Sequence, residues 1–178
     1  VANRGKNGSC YDVFRNRVIF PIIDLRGGVI AFGGRRLNDN DNPKYVNTGE
    51  NIVYKKGRNL YALNFAKSTQ QQELLLTEGY MDVVAIYQGG FDNAVAGLGT
   101  AFTSEQARLL AGHTQTVVLC YDSDEAGQRA TQKAARLLDD VGVKARILSI
   151  SGAKDPDEFI KKFGKEAFLQ ELYNGQDC

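Results

Sequence analysis

Two carboxylates one residue apart, Asp122 and Asp124, close an apolar run, Val117–Tyr121, that reads as a strand buried on both faces. Glu78 follows a second run, Glu73–Thr77, and Asp82 comes four residues later, about one helical turn on. A third run, Val143–Ile150, leads through Ser151–Lys154 to Asp155 and Asp157. Were these runs parallel strands of one sheet, their acids would share the edge at which open α/β sheets bind ligands. That many carboxylates repel one another and titrate upward unless compensated. A hard divalent cation compensates them, and Mg²⁺ suits an all-oxygen donor set because it keeps several waters and borrows phosphate oxygens from a substrate. Two such ions about 3.5–4 Å apart would stabilise the attacking and leaving oxygens of a phosphodiester reaction. The Asp122/Asp124 pair alone also has a plainer reading, in which Asp124 caps a helix starting near Glu125 and Asp122 is a solvated loop acid.

The elements that must position these acids alternate. Tyr80–Gln88 reads as a helix and Asp92–Gly97 as a strand, while Thr103, with Gln106 three residues on, forms a capping box that opens a helix to about Ala111. Glu125–Val141 is the longest helical pattern, with Ala126, Ala130, Ala134, Leu137, Leu138 and Val141 on one face. The stretch from Pro156 to Asn174 reads as one or two short helices. This β-α-β-α-β-α-β order predicts an α/β fold with a mainly parallel sheet flanked by helices. Gly79, Gly97 and Gly99 would let the backbone approach a phosphate closely, although a simple tight turn accounts equally well for the latter two.

The first third has another character. Arg17–Ile23 and Val29–Gly34 flank a Gly-Gly turn and predict a hairpin, with Pro21 placing its strand at an edge. Residues 35–58 are polar, Asn-rich and basic without periodicity, the kind of long irregular stretch that tends to carry a substrate surface. A short helix is predicted through Leu60–Lys67 with Leu60, Leu63 and Phe65 inward, and Ser68–Gln72 reads as a linker. The expected division is therefore a smaller basic α+β subdomain over 1–68 and the parallel-sheet unit over 73–178. Residues 1–60 hold 11 Lys/Arg against 5 Asp/Glu, whereas 61–178 hold 11 against 16. Such polarity suits a polyanion held beside a metal site.

The remaining bounds are broad. At 178 residues the chain can bury a core as one domain with an appendage. No apolar run approaches the ~20 residues of a membrane span, so no membrane association is expected. Cys10, Cys120 and Cys178 are far apart, which is neither a disulfide framework nor a zinc pattern and points to a reducing, cytoplasmic setting. His113 is the sole histidine, which excludes a histidine-based triad. A start at Val1 rather than Met suggests a piece of a longer protein.

A strand leading to Glu-Gly, a second leading to Asp-x-Asp, and helices between them resemble the Toprim fold shared by primases, topoisomerases, gyrase-type subunits, certain nucleases and recombination-mediator proteins. The finer resemblance is to the catalytic core of bacterial DnaG-type DNA primases. It is carried by YDVFRNRVIFPI (11–22), IAFGGR (30–35), NPKYVN (42–47), KKGRNLYAL (55–63), TEGYMDVVA (77–85), AVAGLGTAFT (94–103), CYDSDEAGQRA (120–130) and KDPDEF (154–159), in family order.

The resemblance implies a Toprim-like fold and template-directed synthesis of short RNA primers for replication. Glu78, Asp122 and Asp124 would be the catalytic metal-binding acids, with Asp82, Asp155 and Asp157 supporting the same site. Arg35, Lys44, Asn47 and Lys56 match positions of the groove that contacts template and nucleotide. Mg²⁺, with Mn²⁺ as a substitute, single-stranded DNA template and ribonucleoside triphosphates are the implied cofactor and substrates. The implied setting is the replication fork, for a monomer that meets the replicative helicase through a region absent from this chain. Two other readings stay open on the acids alone: another Toprim phosphodiester enzyme, nuclease or topoisomerase, and a non-catalytic metal- and nucleotide-binding module.

Overall fold

The computed structural model describes residues 2–177, so Val1 and Cys178 lie outside the described residues. Its centre is a five-stranded sheet of β6 (Glu73–Thr77), β7 (Ala94–Ala96), β8 (Thr116–Cys120), β9 (Lys144–Ile147) and β10 (Gln176–Asp177), in the order β10-β9-β8-β6-β7. The four strands β7, β6, β8 and β9 are parallel, and β10 joins the β9 edge antiparallel. The helices are α2 (Tyr80–Gln88), α3 (Ser104–Ala111), α4 (Glu125–Asp139) and α5 (Pro156–Asn174), preceded by a single turn, α1 (Leu63–Ala66).

Strand alternation sorts the core. Leu74, Leu76, Val117 and Leu119 point to one face, where Ala107, Leu110, Ala134 and Leu138 of α3 and α4 cover them. Leu75, Val118 and Cys120 point to the other face, beneath Val83 and Ile86 of α2 and Phe159, Phe168 and Leu172 of α5. Both faces are apolar because the strands are buried on both sides, as parallel strands must be. From β6 the chain passes to β7 on one side, while β8 lies on the other. The crevice between β6 and β8 is therefore the switch point at which such sheets bind ligands.

The first third folds as an antiparallel sheet of β3 (Arg17–Ile23), β4 (Val29–Arg36) and β5 (Tyr45–Asn47), preceded by a small hairpin of β1 (Ala2–Arg4) and β2 (Cys10–Asp12). The hairpin predicted around the Gly-Gly turn is present, with Pro21 on the edge strand β3. Within the stretch expected to be irregular, β5 pairs Tyr45 with Arg35 and Asn47 with Gly33, and Lys56–Arg58 form a 3-10 turn. Three-residue elements show no periodicity, because their positions are decided by the strand they join.

Two expectations about packing are corrected. Phe65 is 58% exposed rather than inward, because in a single turn Leu63 and Ala66 share the buried side and residue 65 points away. The buried stripe of α4 is Gly127, Thr131, Ala134 and Leu138, and Ala126 is exposed. Gly127 sets that rotation, because any Cβ there would overlap the carbonyl of Asp122. The C-terminal stretch is two helices joined at Gly164, whose φ of 85° interrupts α5. Leu60, Leu63 and Ala66 pack into the same core as the parallel sheet, and Tyr61 bridges Ala96 on β7. Among the described residues no helix is long and apolar enough to cross a membrane.

Candidate active site

Glu78 leaves the end of β6 and Asp122 the end of the adjacent strand β8, and the register Thr77↔Cys120 brings them side by side. The backbone N–H of Asp122 donates to Glu78 Oε1 at 3.3 Å. Around them opens a cleft of about 860 Å³, whose walls include Arg35, Lys44, Tyr45, Asp82, Lys154 and Asp155. Asp157, Glu158, Lys161 and Lys162 complete its far side. One cleft thus gathers Glu78, Asp82, Asp122, Asp155 and Asp157 from three strand tips with two of the four expected cationic or polar positions, Arg35 and Lys44.

The acids are seated at helix starts. Asp124 accepts from the Gly127 N–H at 2.8 Å and caps α4, while Asp155 accepts from the Glu158 N–H at 2.8 Å and caps α5. Asp82 lies buried in the first turn of α2, the helix that packs against α5. Helix N-termini favour negative charge, and their exposed N–H groups hold the carboxylates in one geometry. The D-x-D loop is tied to the loop after β9, where the Ser123 N–H donates to the Lys154 carbonyl at 3.0 Å.

The electrostatic consequence is a group of carboxyls that the neighbouring lysines compensate only in part. Burial raises the Glu78 carboxyl above its ordinary range, and the charges of Asp122 and Asp124 add to that. Asp122 is raised by burial, then by Asp155 and Asp124, while Lys154 and Lys44 oppose the shift. Asp82, buried under α5, is pushed up to about 7 by desolvation first and by Asp155 and Asp122 next. Among the described residues no three His, Cys, Asp or Glu side chains form a ready-made ion cage, so the acids line a cleft rather than a closed site.

The cationic side is built on aromatic packing. Arg35 and Lys44 lie over the Tyr45 ring at 5.9 and 5.8 Å from its centroid. Tyr45 meets Tyr80, the second residue after Glu78, edge to face at 6.1 Å, and Tyr80 stacks on Phe20 at 5.3 Å. The Gly-Gly of FGGR makes this contact possible, since a Cβ on Gly33 would stand 2.5 Å from the Tyr80 ring and one on Gly34 2.7 Å from Phe14. Two motifs distant in sequence are thus one packing unit.

Asn47 and Lys56 fall elsewhere. Asn47 accepts from the Tyr80 hydroxyl at 3.0 Å and donates to the Leu98 carbonyl at 3.4 Å, bridging β5, α2 and the loop that carries Gly99. Lys56 sits in the 3-10 turn against α3, where its carbonyl accepts from the Gln106 side chain at 3.0 Å. Asp124 does not line the cleft but acts on Glu78 and Asp122 through its charge. Sequence reasoning passed over Tyr45, Met81, Glu158, Lys154, Lys161 and Lys162. The available signals were Lys154 directly before Asp155 and the (i, i+4) pair Asp157–Lys161, whose ion pair measures 2.7 Å.

An acid-tipped switch-point sheet with Glu on one strand and Asp-x-Asp on the next defines a Toprim-type unit, and residues 75–160 match the Toprim-like family. Residues 1–67 match the N-terminal domain of the DNA primase catalytic core. The DNA primase of Clostridium acetobutylicum is 49% identical over 170 residues, covering 95% of this chain and 28% of that protein. The solved zinc-binding and RNA polymerase domains of Aquifex aeolicus primase superpose with a TM-score of 0.93 at 40% identity, covering 99% of this chain and 44% of that one. A DnaG primase catalytic domain bound to single-stranded DNA superposes with a TM-score of 0.90 at 41% identity, covering 99% and 56%. The chain belongs to the family of DnaG-type DNA primase catalytic cores. It spans 28% to 33% of the length of the curated relatives it matches.

Proposed function

We propose that this chain forms the nucleotidyl-transfer centre of a DNA primase, joining ribonucleotides on a single-stranded DNA template. The observation that carries the reading is the meeting of Glu78 and Asp122, from adjacent strand tips, in a cleft that also holds Arg35 and Lys44.

The donor set fits a hard divalent cation. All candidate ligands are carboxylate oxygens, and the raised carboxyls of Glu78, Asp122 and Asp82 mark charge that a cation would relieve. Glu78, Asp122 and Asp124 would hold Mg²⁺, or Mn²⁺ in its place, with Asp82, Asp155 and Asp157 as supporting acids. Bound there, the metal would lower the pKa of a primer 3′-hydroxyl and neutralise charge on the α-phosphate. The chain's own residues do the rest: the helix N-termini under Asp124 and Asp155 fix the carboxylates, and Arg35 and Lys44 hold the nucleic acid through its phosphates. Asn47 locks the hairpin portion to α2, and Lys56 contributes positive charge on the flank of that surface. Residues 1–68 thus act as the basic, template-holding part and 73–178 as the catalytic part. The setting we assign is a monomer at a cytoplasmic replication fork, coupled to the helicase through a region outside this chain.

The test is primer synthesis by the full-length protein on single-stranded DNA with ribonucleoside triphosphates and Mg²⁺. Glu78→Ala and Asp122→Ala should each abolish product while leaving the melting temperature near that of the parent, and undiminished synthesis by either would overturn the assignment.

A further inference from the structure

The basic turn Lys56–Arg58 lies outside the cleft, and its backbone is fastened to the first turn of α3. Gln106 is fully buried there and uses its whole amide: Oε1 accepts from the Thr103 N–H at 3.1 Å, while Nε2 donates to the carbonyls of Lys56 at 3.0 Å and Asn59 at 2.8 Å. The Thr103 hydroxyl accepts from the Gln106 N–H at 3.1 Å and donates to the Gly57 carbonyl at 2.6 Å. Capping α3 asks only for an acceptor at position 106, which Glu supplies as well as Gln. The two amide N–H groups are what Glu lacks, and both serve a segment 50 residues away or nearly so. Gly57 admits this approach, since a Cβ there would stand 3.1 Å from Thr103 Cγ2. Within the turn, the Lys55 carbonyl accepts from the Arg58 N–H at 3.0 Å and from Asn59 Nδ2 at 2.8 Å, and the Lys56 N–H donates to Glu50 Oε1 at 2.9 Å. On this held backbone Arg58 is exposed and Lys56 half-buried, and among the described residues neither enters an ion pair. The loop that leads to Thr103 borders Glu78: Gly97, Gly99, Thr100 and Phe102 line, with Thr77 and Glu78, a hollow of about 400 Å³.

We propose that Gln106 is a positioning residue for template binding: by holding the carbonyls of Lys56 and Asn59 it fixes the base of the Lys56 side chain relative to Glu78, so that a strand bound along the basic flank is presented in register with the acids. The proposal rests on the nucleotidyl-transfer reading, in which Lys56 meets nucleic acid, and adds to it what gives that cation its place. A lysine ammonium rides on a flexible four-carbon stem, so its reach is only as well defined as the backbone that carries it. Without Gln106 the two buried carbonyls lose their partners, and the turn would move towards water to regain them. The Lys56 charge would then remain on the protein but at no fixed distance from the site of reaction.

The experiment measures single-stranded DNA affinity and primer synthesis by the full-length protein carrying Gln106→Met, Lys56→Ala or both. Met keeps the length of the side chain and removes its hydrogen bonds, while Thr103 still caps α3. Gln106→Met should raise the dissociation constant and the template KM about three- to fivefold, with kcat at saturating template within about twofold of the parent. The double variant should bind no more weakly than Lys56→Ala alone, because the two residues act through one contact. Thr103→Val, which removes the bond to the Gly57 carbonyl, should shift KM in the same direction by less, and Thr103→Ser should restore the parental value; this pair decides the matter if Gln106→Met does not fold. Unchanged template KM, losses that add in the double variant, or a fall confined to kcat overturn the positioning role while Lys56 keeps its assignment. Parental DNA affinity in Lys56→Ala overturns both the positioning role and that assignment.

Discussion

The acidic and cationic sides of the cleft are built by different means. Glu78 and Asp122 leave neighbouring strand ends, Asp124 and Asp155 cap helices, and Asp82 lies buried in the first turn of α2. Their geometry is fixed by backbone hydrogen bonding. Arg35 and Lys44 instead reach the site on long side chains laid over Tyr45, which is itself positioned by packing on Tyr80. A carboxylate that must hold a cation at fixed distance needs the first kind of support, while a cation that follows a flexible polyanion works with the second. Substitutions on the acid side should therefore remove chemistry, and those on the cationic side should shift affinity.

The largest effect that would break or uphold this contrast is on turnover. Glu78→Gln keeps the shape and removes the charge, and should lower the rate of primer synthesis about a hundredfold or more while template affinity is unchanged. Loss of template affinity with turnover retained would invert the contrast. Next comes Gly127→Ala, in which the new methyl meets the Asp122 carbonyl and the backbone must move. It should cost about 2–3 kcal/mol of stability, read by denaturant unfolding, and reduce activity through the displaced Asp122.

A smaller effect is expected from Asp82 and depends on pH. Burial first, and the charges of Asp155 and Asp122 next, push its folded carboxyl up to about 7, well above the ordinary aspartate range. The folded state therefore holds that proton more tightly than the unfolded chain, so the contribution of Asp82 to stability without divalent cation is greatest below about pH 4, falls as pH rises towards about 7, and is level beyond. Asp82→Asn should flatten that slope and raise stability at pH 8 by about 1–3 kcal/mol in chelator, measured by thermal unfolding across pH. The smallest is Lys44→Ala, which should weaken single-stranded DNA binding a few-fold and reduce the salt dependence by about one counterion, with little change in turnover.

How far the site could be read before folding follows the same contrast. Glu73–Thr77, Tyr80–Gln88 and the Thr103/Gln106 capping box were legible to the residue, because two-sided apolar runs, helical periodicity and cap chemistry are local signals. The acids were legible because they follow those strands directly. β5 was not, since Tyr45–Asn47 is a strand only by pairing with β4. Nor were Lys161 and Lys162, whose place in the cleft depends on where α5 lies across the sheet.

The sequence by itself determined the alternating α/β order, the acids at strand tips and the excess of positive charge in the first sixty residues. These are consequences of residue type at fixed spacing along one chain. Only the tertiary structure decided that β8 lies beside β6, so that Glu78 meets Asp122, and that Asn47 faces Tyr80 rather than the cleft. It also decided that Gly33 exists to admit the Tyr80 ring and Gly127 to admit the Asp122 carbonyl. The physical reason is that strand order and close approach are settled by packing between segments far apart in sequence, for which neither periodicity nor charge carries a local mark.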